Sequence, residues 1–165
     1  MEVDTTFRRK RQDMRKVRFE VPGEPTGKGR PRFSKFGGPR SPEKTVLYEN
    51  LVKTCYSSQC NDFMFEQGRQ LDVRIVAYYA IPQSISKKRR QRMIDKIERP
   101  LKKPDADNVV KVVLDALNKI AYYDDTQVVD LQIRRFYGEN PKTIVTIEDI
   151  TPEMEETRNG TRTRI

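Results

Sequence analysis

Apolar and polar positions alternate along four stretches of the chain and recur at helical spacing along three others. Val17, Phe19 and Val21 are separated by Arg18 and Glu20, which predicts a short strand ending at Pro22-Gly23. LDVRIVAYYA, residues 71–80, predicts a longer strand. QVVDLQIRRFY and KTIVTIED predict two more, joined through Gly138-Glu139-Asn140-Pro141 as a hairpin-type turn. Ser41-Pro42-Glu43 has the form of a helix start, with Ser41 as N-cap and Pro42 in the first helical position. Leu47, Leu51 and Cys55, with Tyr48 and Val52, give that helix its apolar face. Ser84 or Ser86 caps a second helix, which carries KKRRQR, turns Met93, Ile94 and Ile97 inward and ends at Pro100. In KKPDADNVVKVVLDALN, residues 102–118, a third helix has a wide apolar face of Val109, Val113, Ala116 and Ile120 with Val110, Leu114 and Leu117.

This order predicts one small α/β (α+β) domain over residues 17–150, a mixed sheet of about four strands with helices packed on it. Residues 1–16 are polar, charged and aperiodic and predict a disordered basic arm. The acidic, then polar tail, 151–165, is expected to fray. No internal repeat is visible.

Composition narrows the chemistry. A chain of 165 residues is long enough for one real core, and two full domains would be tight. Its net charge of +9 points to a polyanionic partner, most commonly nucleic acid; the alternative is charge that serves solubility alone. Cys55 and Cys60 are too few for a disulfide framework, and the absence of histidine excludes a Cys/His zinc set. It also removes every Ser-His-Asp or Cys-His scheme, so an enzyme here must work with carboxylates, lysine, tyrosine or a metal. The N-terminus lacks the apolar core of a signal peptide and no stretch approaches a membrane span, which predicts a cytoplasmic protein.

Two basic segments are candidates for phosphate contact. GEPTGKGRPRFSKFGGPR, residues 23–40, holds five glycines and three prolines, which predicts a long loop without regular structure. Lys28, Arg30, Arg32, Lys35 and Arg40 meet no acid inside it beyond Glu24, and Phe33 and Phe36 are set among them. Such a loop either floats in solvent or contacts phosphates and stacks on bases. The run Lys87, Lys88, Arg89 and Arg90 is either a solvated helix face or a second phosphate contact.

The carboxylates carry the sharpest signal. Asp105 stands just before the third helix and Asp107 in its first turn, where free N–H groups and the helix dipole favour ionised carboxylates. Lys111 is four residues after Asp107, and Asp115 continues the polar line. One aspartate explains itself as a cap; two do not. Asp124 and Asp125 form a second pair directly before the strand QVVDLQIRRFY, which a helix packed alongside would bring near the first. Carboxylates gathered in a basic molecule repel one another unless a cation resolves them, and oxygen ligands suit Mg²⁺ or Mn²⁺. A capped helix plus a polar turn is the other reading. An EF-hand is excluded, since its glycine position is Val110 and its final glutamate Ala116.

KKPDADNVVKVVLDALN followed by YYDDTQVVDLQIRR resembles the RusA family of Holliday junction resolvases, with its PDxDNxxK helix and DDxQV strand. VPGEPTGKGRPRF is similar to that family's opening strand and basic loop, so the likeness spans roughly residues 17–147. The resemblance implies a homodimeric, Mg²⁺-dependent endodeoxyribonuclease of bacterial or phage origin that cuts four-way DNA junctions. It places metal ligands at Asp105, Asp107 and Asp125, with Asp124 the alternative third ligand, and the functional lysine at Lys111. The rival readings are a metal nuclease for flaps or other branched DNA, and a non-catalytic basic DNA-binding module.

Overall fold

The computed structural model describes residues 16–40 and 42–153, with the backbone alone at 34, 39 and 40. The expected N-terminal arm, the Ser41 cap, the Arg40 side chain and most of the tail fall outside it. Strands β1 (Lys16–Pro22), β4 (Leu71–Ala80), β5 (Val128–Gly138) and β6 (Lys142–Asp149) form one mixed sheet in the order β1-β6-β4-β5. Helices α1 (Glu43–Cys60), α2 (Lys87–Ile94) and α3 (Ala106–Leu117) complete the domain. The α+β class and the four-stranded mixed sheet follow the sequence expectation.

β4 is the central strand, parallel to β5 and antiparallel to β6. Its alternate residues Leu71, Val73, Ile75, Ala77 and Tyr79 are all buried and meet Val145 and Ile147 of β6 and Phe19 of β1 in one core. The turn at Gly138–Pro141 is therefore not a hairpin: β5 and β6 are separated by β4, and the turn carries the chain across its end. β4 takes the middle because its inward residues are fully apolar, whereas β5 carries Asp130, Gln132, Arg134 and Arg135 among its apolar positions and suits an edge.

α1 and α3 pack on each other and cover this core. α1 is rotated from the face expected for it: Tyr48, Val52, Cys55 and Tyr56 are buried, while Leu47 is 62% exposed. Two tyrosines bury more area than the leucines, and their hydroxyls are satisfied, Tyr48 with Thr143 Oγ1 at 3.0 Å and Tyr56 with the Phe63 carbonyl. The N-cap of α1 is Pro42, one residue later than the Ser41 expected.

α2 is also shorter than expected. Ser86 accepts the Arg89 amide at its start, but the helix ends at Ile94, well before Pro100. Lys96 takes φ +61°, and the amides of Asp95 to Glu98 fold back onto the carbonyls of Gln91, Arg92 and Met93. Met93 is thus buried while Ile94 and Ile97 face solvent. The following segment lays Lys96 and Arg99 over the ring of Phe136, on the sheet face opposite the α1–α3 core.

The segment expected to lack regular structure contains a small hairpin, β2 (Arg32–Ser34) with β3 (Gly37–Arg40), turned through Lys35 and Phe36. None of the five glycines falls between Gly29 and Gly37, which leaves Arg32–Ser34 free to extend, so the glycine count did not exclude strands. No helix of the described residues is long and apolar enough to cross a membrane.

Candidate active site

α3 begins on a platform built from the inner face of the sheet. Tyr79 of β4 donates its hydroxyl proton to the Pro104 carbonyl at 2.7 Å. Arg135 of β5 donates to the same carbonyl at 3.0 Å, to the Lys102 carbonyl, and through Nε to Tyr79 Oη at 3.2 Å. The residue so anchored is the one immediately before Asp105.

Asp105 occupies the N-cap of α3, yet no backbone amide of the helix caps onto its side chain. Instead Asn108 Nδ2 donates to Asp105 Oδ1 at 2.6 Å. That bond, its own amide and the nearby charges of Lys103 and Arg135 hold the Asp105 carboxyl below its ordinary range. The Asn108 carbonyl in turn accepts the Lys28 amide at 3.0 Å, which docks the basic loop onto the start of α3. A Cβ at Gly27 would stand 2.8 Å from Pro104 Cβ, so a side chain there would push the loop away. Between loop and helix lies a groove of about 600 Å³, lined among others by Lys28, Arg30, Lys103, Asp105 and Asn108.

One turn further along α3 opens a second cleft, of about 470 Å³. Asp107, Lys111 and Asp115 line it from successive turns, Asp125 from the facing segment, and Val110, Leu114, Leu131 and Ile133 supply apolar walls. The structure therefore brings Asp107, Lys111 and Asp125 together and places Asp105 in the adjoining groove.

Asp125 and its neighbour have different surroundings. Asp124 caps the 3-10 turn Asp125–Gln127, accepting the Thr126 amide, while Gln127 Oε1 accepts the Tyr123 amide at 2.9 Å and the Asp124 amide at 3.3 Å. Gln127 Nε2 then ties this turn to the carbonyls of Glu66 and Arg69. Asp125 has its amide held by Asn118 Oδ1 at 2.9 Å, and its carboxylate lines the cleft. Partial burial, then the hydrogen bond and charge of Asp124 and the charge of Asp115, push its carboxyl above the usual range. Asp124 moves the opposite way, chiefly through its hydrogen bond with Asp125.

The chemistry of these donors fits a hard cation: all are carboxylate oxygens, and their mutual repulsion is what a cation relieves. Among the described residues, however, no three carboxylates are already drawn together as a chelate. Asp105 and Asp107 are exposed, so closing such a set takes side-chain rotation.

The expected DNA contacts divide. The Lys28 ammonium is paired with Glu49 and lies 3.0 Å from Asp115 Oδ2, leaving the side chain 20% exposed. The acids it meets come from α1 and α3, which local sequence does not reveal. Arg89 is likewise held by Glu98, at 2.6–3.2 Å, and Arg90 reaches Glu139 at 3.3 Å. Arg30, Arg32, Lys35, Lys87 and Lys88 are exposed. The sequence gives no hint of Tyr79 or Arg135 as supports of the site; Asn108, by contrast, stands inside the DxDN pattern, where an amide next to two acids is a legible signal.

Residues 22–148 match the family model of the endodeoxyribonuclease RusA. The match runs from the end of β1 almost to the end of β6 and takes in both the groove and the cleft. The chain belongs to the RusA endodeoxyribonuclease family. It is also similar to YqaN of Bacillus subtilis (strain 168), an uncharacterized protein: 37% identical over 140 residues, covering 82% of this chain and 97% of that one.

Proposed function

We propose that the protein is a Mg²⁺-dependent, structure-selective endodeoxyribonuclease that resolves Holliday junctions by paired nicks in DNA recombination and repair. The observation that carries this reading is the cleft in which Asp107, Lys111 and Asp125 meet, within a chain of the RusA family. Asp105, Asp107 and Asp125 would hold the cation, with Asp124 left to its cap, and Mn²⁺ is the alternative metal. When bound, the ion supplies an acidified water and a polarised phosphate, which a chain without histidine otherwise lacks.

The remaining work falls to the protein's own groups. Asn108 orients the Asp105 carboxylate, and Asn118 fixes the backbone that carries Asp125. Lys111, exposed one turn from Asp107, brings its ammonium to the phosphate and neutralises charge that grows as the bond to the leaving 3′-oxygen breaks. Arg30 and Arg32 hold backbone phosphates along the groove. One such site makes one cut, so paired cuts on opposed strands call for a two-fold homodimer matched to a junction of near two-fold symmetry.

The test is purified protein incubated with a labelled four-way junction, a linear duplex and a flap, with Mg²⁺ or EDTA. Paired, Mg²⁺-dependent nicks in the junction alone are expected. Cutting of the flap in preference would make it a broader branched-DNA nuclease, and binding without any cutting a DNA-binding module.

A further inference from the structure

The β2–β3 hairpin lends Arg32 to the phosphate contacts proposed above, and the rest of its surface is unusual. Phe36, in the two-residue turn, is 100% exposed and Phe33 is 81% exposed. A soluble protein gains nothing by leaving two phenyl rings in water, each of which buries 150–250 Å² when covered. Around them stand Arg30, Arg32 and Lys35, all exposed and without an ion pair among the described residues. The other neighbours in the chain are Pro31, Ser34, Gly37, Gly38 and Pro39.

This composition selects the partner. An apolar protein surface would demand Leu, Ile or Val around the rings, and here the neighbours are cations, glycine, serine and proline. Flat rings flanked by guanidinium and ammonium groups match the bases of a nucleic acid between their phosphates, because every base offers a π face and every nucleotide a negative charge. In an intact duplex those faces are covered by stacking. They become available where strands exchange.

The hairpin is also rooted at the site. The Gly29 amide donates to Thr45 Oγ1 at 3.0 Å, and Gly27 lies against Pro104 and Asn108. From Gly29 to Phe36, seven residues at about 3.3 Å each give a reach of at most about 23 Å. That is roughly seven steps of one DNA strand at about 3.4 Å per step. DNA held in the groove therefore presents a nearby branch point to the hairpin tip.

We propose that the hairpin is a branch-point probe: Phe36, with Phe33, stacks on unstacked bases while Arg30, Arg32 and Lys35 hold the flanking phosphates. The inference rests on the nuclease reading above and names the residues that would give it selectivity for branched DNA over duplex.

The experiment compares wild type with the Phe33→Ala/Phe36→Ala double variant, Phe36→Leu and Phe36→Trp, in Ca²⁺ so that nothing is cut. The probes are a four-way junction with 2-aminopurine beside the branch point and a linear duplex of the same sequence. Wild type and Phe36→Trp should change 2-aminopurine fluorescence and prefer the junction. The double variant should lose both, binding the junction roughly tenfold or more weakly while duplex binding holds. Phe36→Leu, which keeps apolar bulk without a π face, should behave like the double variant. Unchanged junction preference in the double variant overturns the proposal, as does an equal loss on junction and duplex. A change in oligomeric mass on removing the rings would make them a protein contact and overturn it too. A wild type that neither binds nor, in Mg²⁺, cuts the junction would instead bring down the nuclease reading.

Discussion

The Tyr79 hydroxyl and the Pro104 carbonyl, 2.7 Å apart, fix the point at which the first metal-ligand candidate leaves the sheet. Arg135 reinforces the same carbonyl at 3.0 Å and closes a three-membered hydrogen-bond set. Asp105 therefore inherits its position from two strands of the core, though it sits in a surface groove.

Arg135 should accordingly behave as a positioning residue. Arg135→Met is expected to raise the Mg²⁺ concentration needed for half-maximal cleavage by about tenfold, the lower end of what losing a supporting contact to a ligand costs. Arg135→Lys should recover part of it. A metal titration of cleavage, with junction affinity in Ca²⁺ as control, separates this from loss of DNA binding. Equal metal requirements in all three proteins would refute the role.

Lys28 should affect stability and leave the salt dependence of DNA binding alone. Its ammonium joins Glu49 of α1 to Asp115 of α3, with all three side chains partly buried. Lys28→Met should destabilise the fold by about 2 kcal/mol, between the worth of an exposed pair and the cost of breaking a buried one. Neutralising Arg30 or Arg32 should do the reverse, with little change in melting and a salt slope lower by about one unit per lost phosphate contact. Urea melts and binding at several salt concentrations decide the assignment.

Asp124 and Asp125 should be separable by substitution. Asp107→Asn and Asp125→Asn are expected to abolish cleavage while junction binding persists, because removing negative charge does not weaken affinity for a polyanion. Asp124→Asn should retain most cleavage and lower the melting temperature, since it is the cap of the turn. If Asp124→Asn is inactive and Asp125→Asn active, the third ligand lies one residue earlier.

The Asp125 shift makes a pH prediction for the metal-free protein. Its carboxyl is raised in the fold, first by partial burial and then by Asp124 and Asp115. A raised acid favours the protonated form, so the fold carries no penalty below the ordinary aspartate range and a growing one as pH climbs through the raised value. Asp125→Asn in EDTA should therefore melt higher than wild type at neutral pH, with the gain vanishing as pH falls below that range. Melting curves across pH check this, and a constant difference at every pH would contradict it.

Lys111→Ala should lower the cleavage rate far more than junction affinity, because its charge is needed most when the phosphate gains charge. Single-turnover rates set beside binding in Ca²⁺ give the comparison. Parallel small losses in both would reduce Lys111 to a phosphate contact.

Much of this was legible in the order of residues. Alternation marked β4 as Leu71–Ala80 and β6 as Lys142–Asp149, because a strand with one buried face writes that face into every second residue. The DxDNxxK spacing put Asp107, Lys111 and Asp115 on one side of α3, because four residues make one helical turn. What sequence could not supply was everything that depends on separation along the chain. Glu49 and Asp115 neutralise Lys28 from 21 and 87 positions away, Arg135 and Tyr79 hold Pro104 from other strands, and β4 enters between β5 and β6. The rotation of α1 toward Tyr48 and Tyr56 belongs with these, since two faces of similar apolarity were on offer and the hydroxyl partners at Thr143 and Phe63 favoured one. Local pattern determines which side chains share a face; which of them meet, and which charges are left for DNA, is decided by packing.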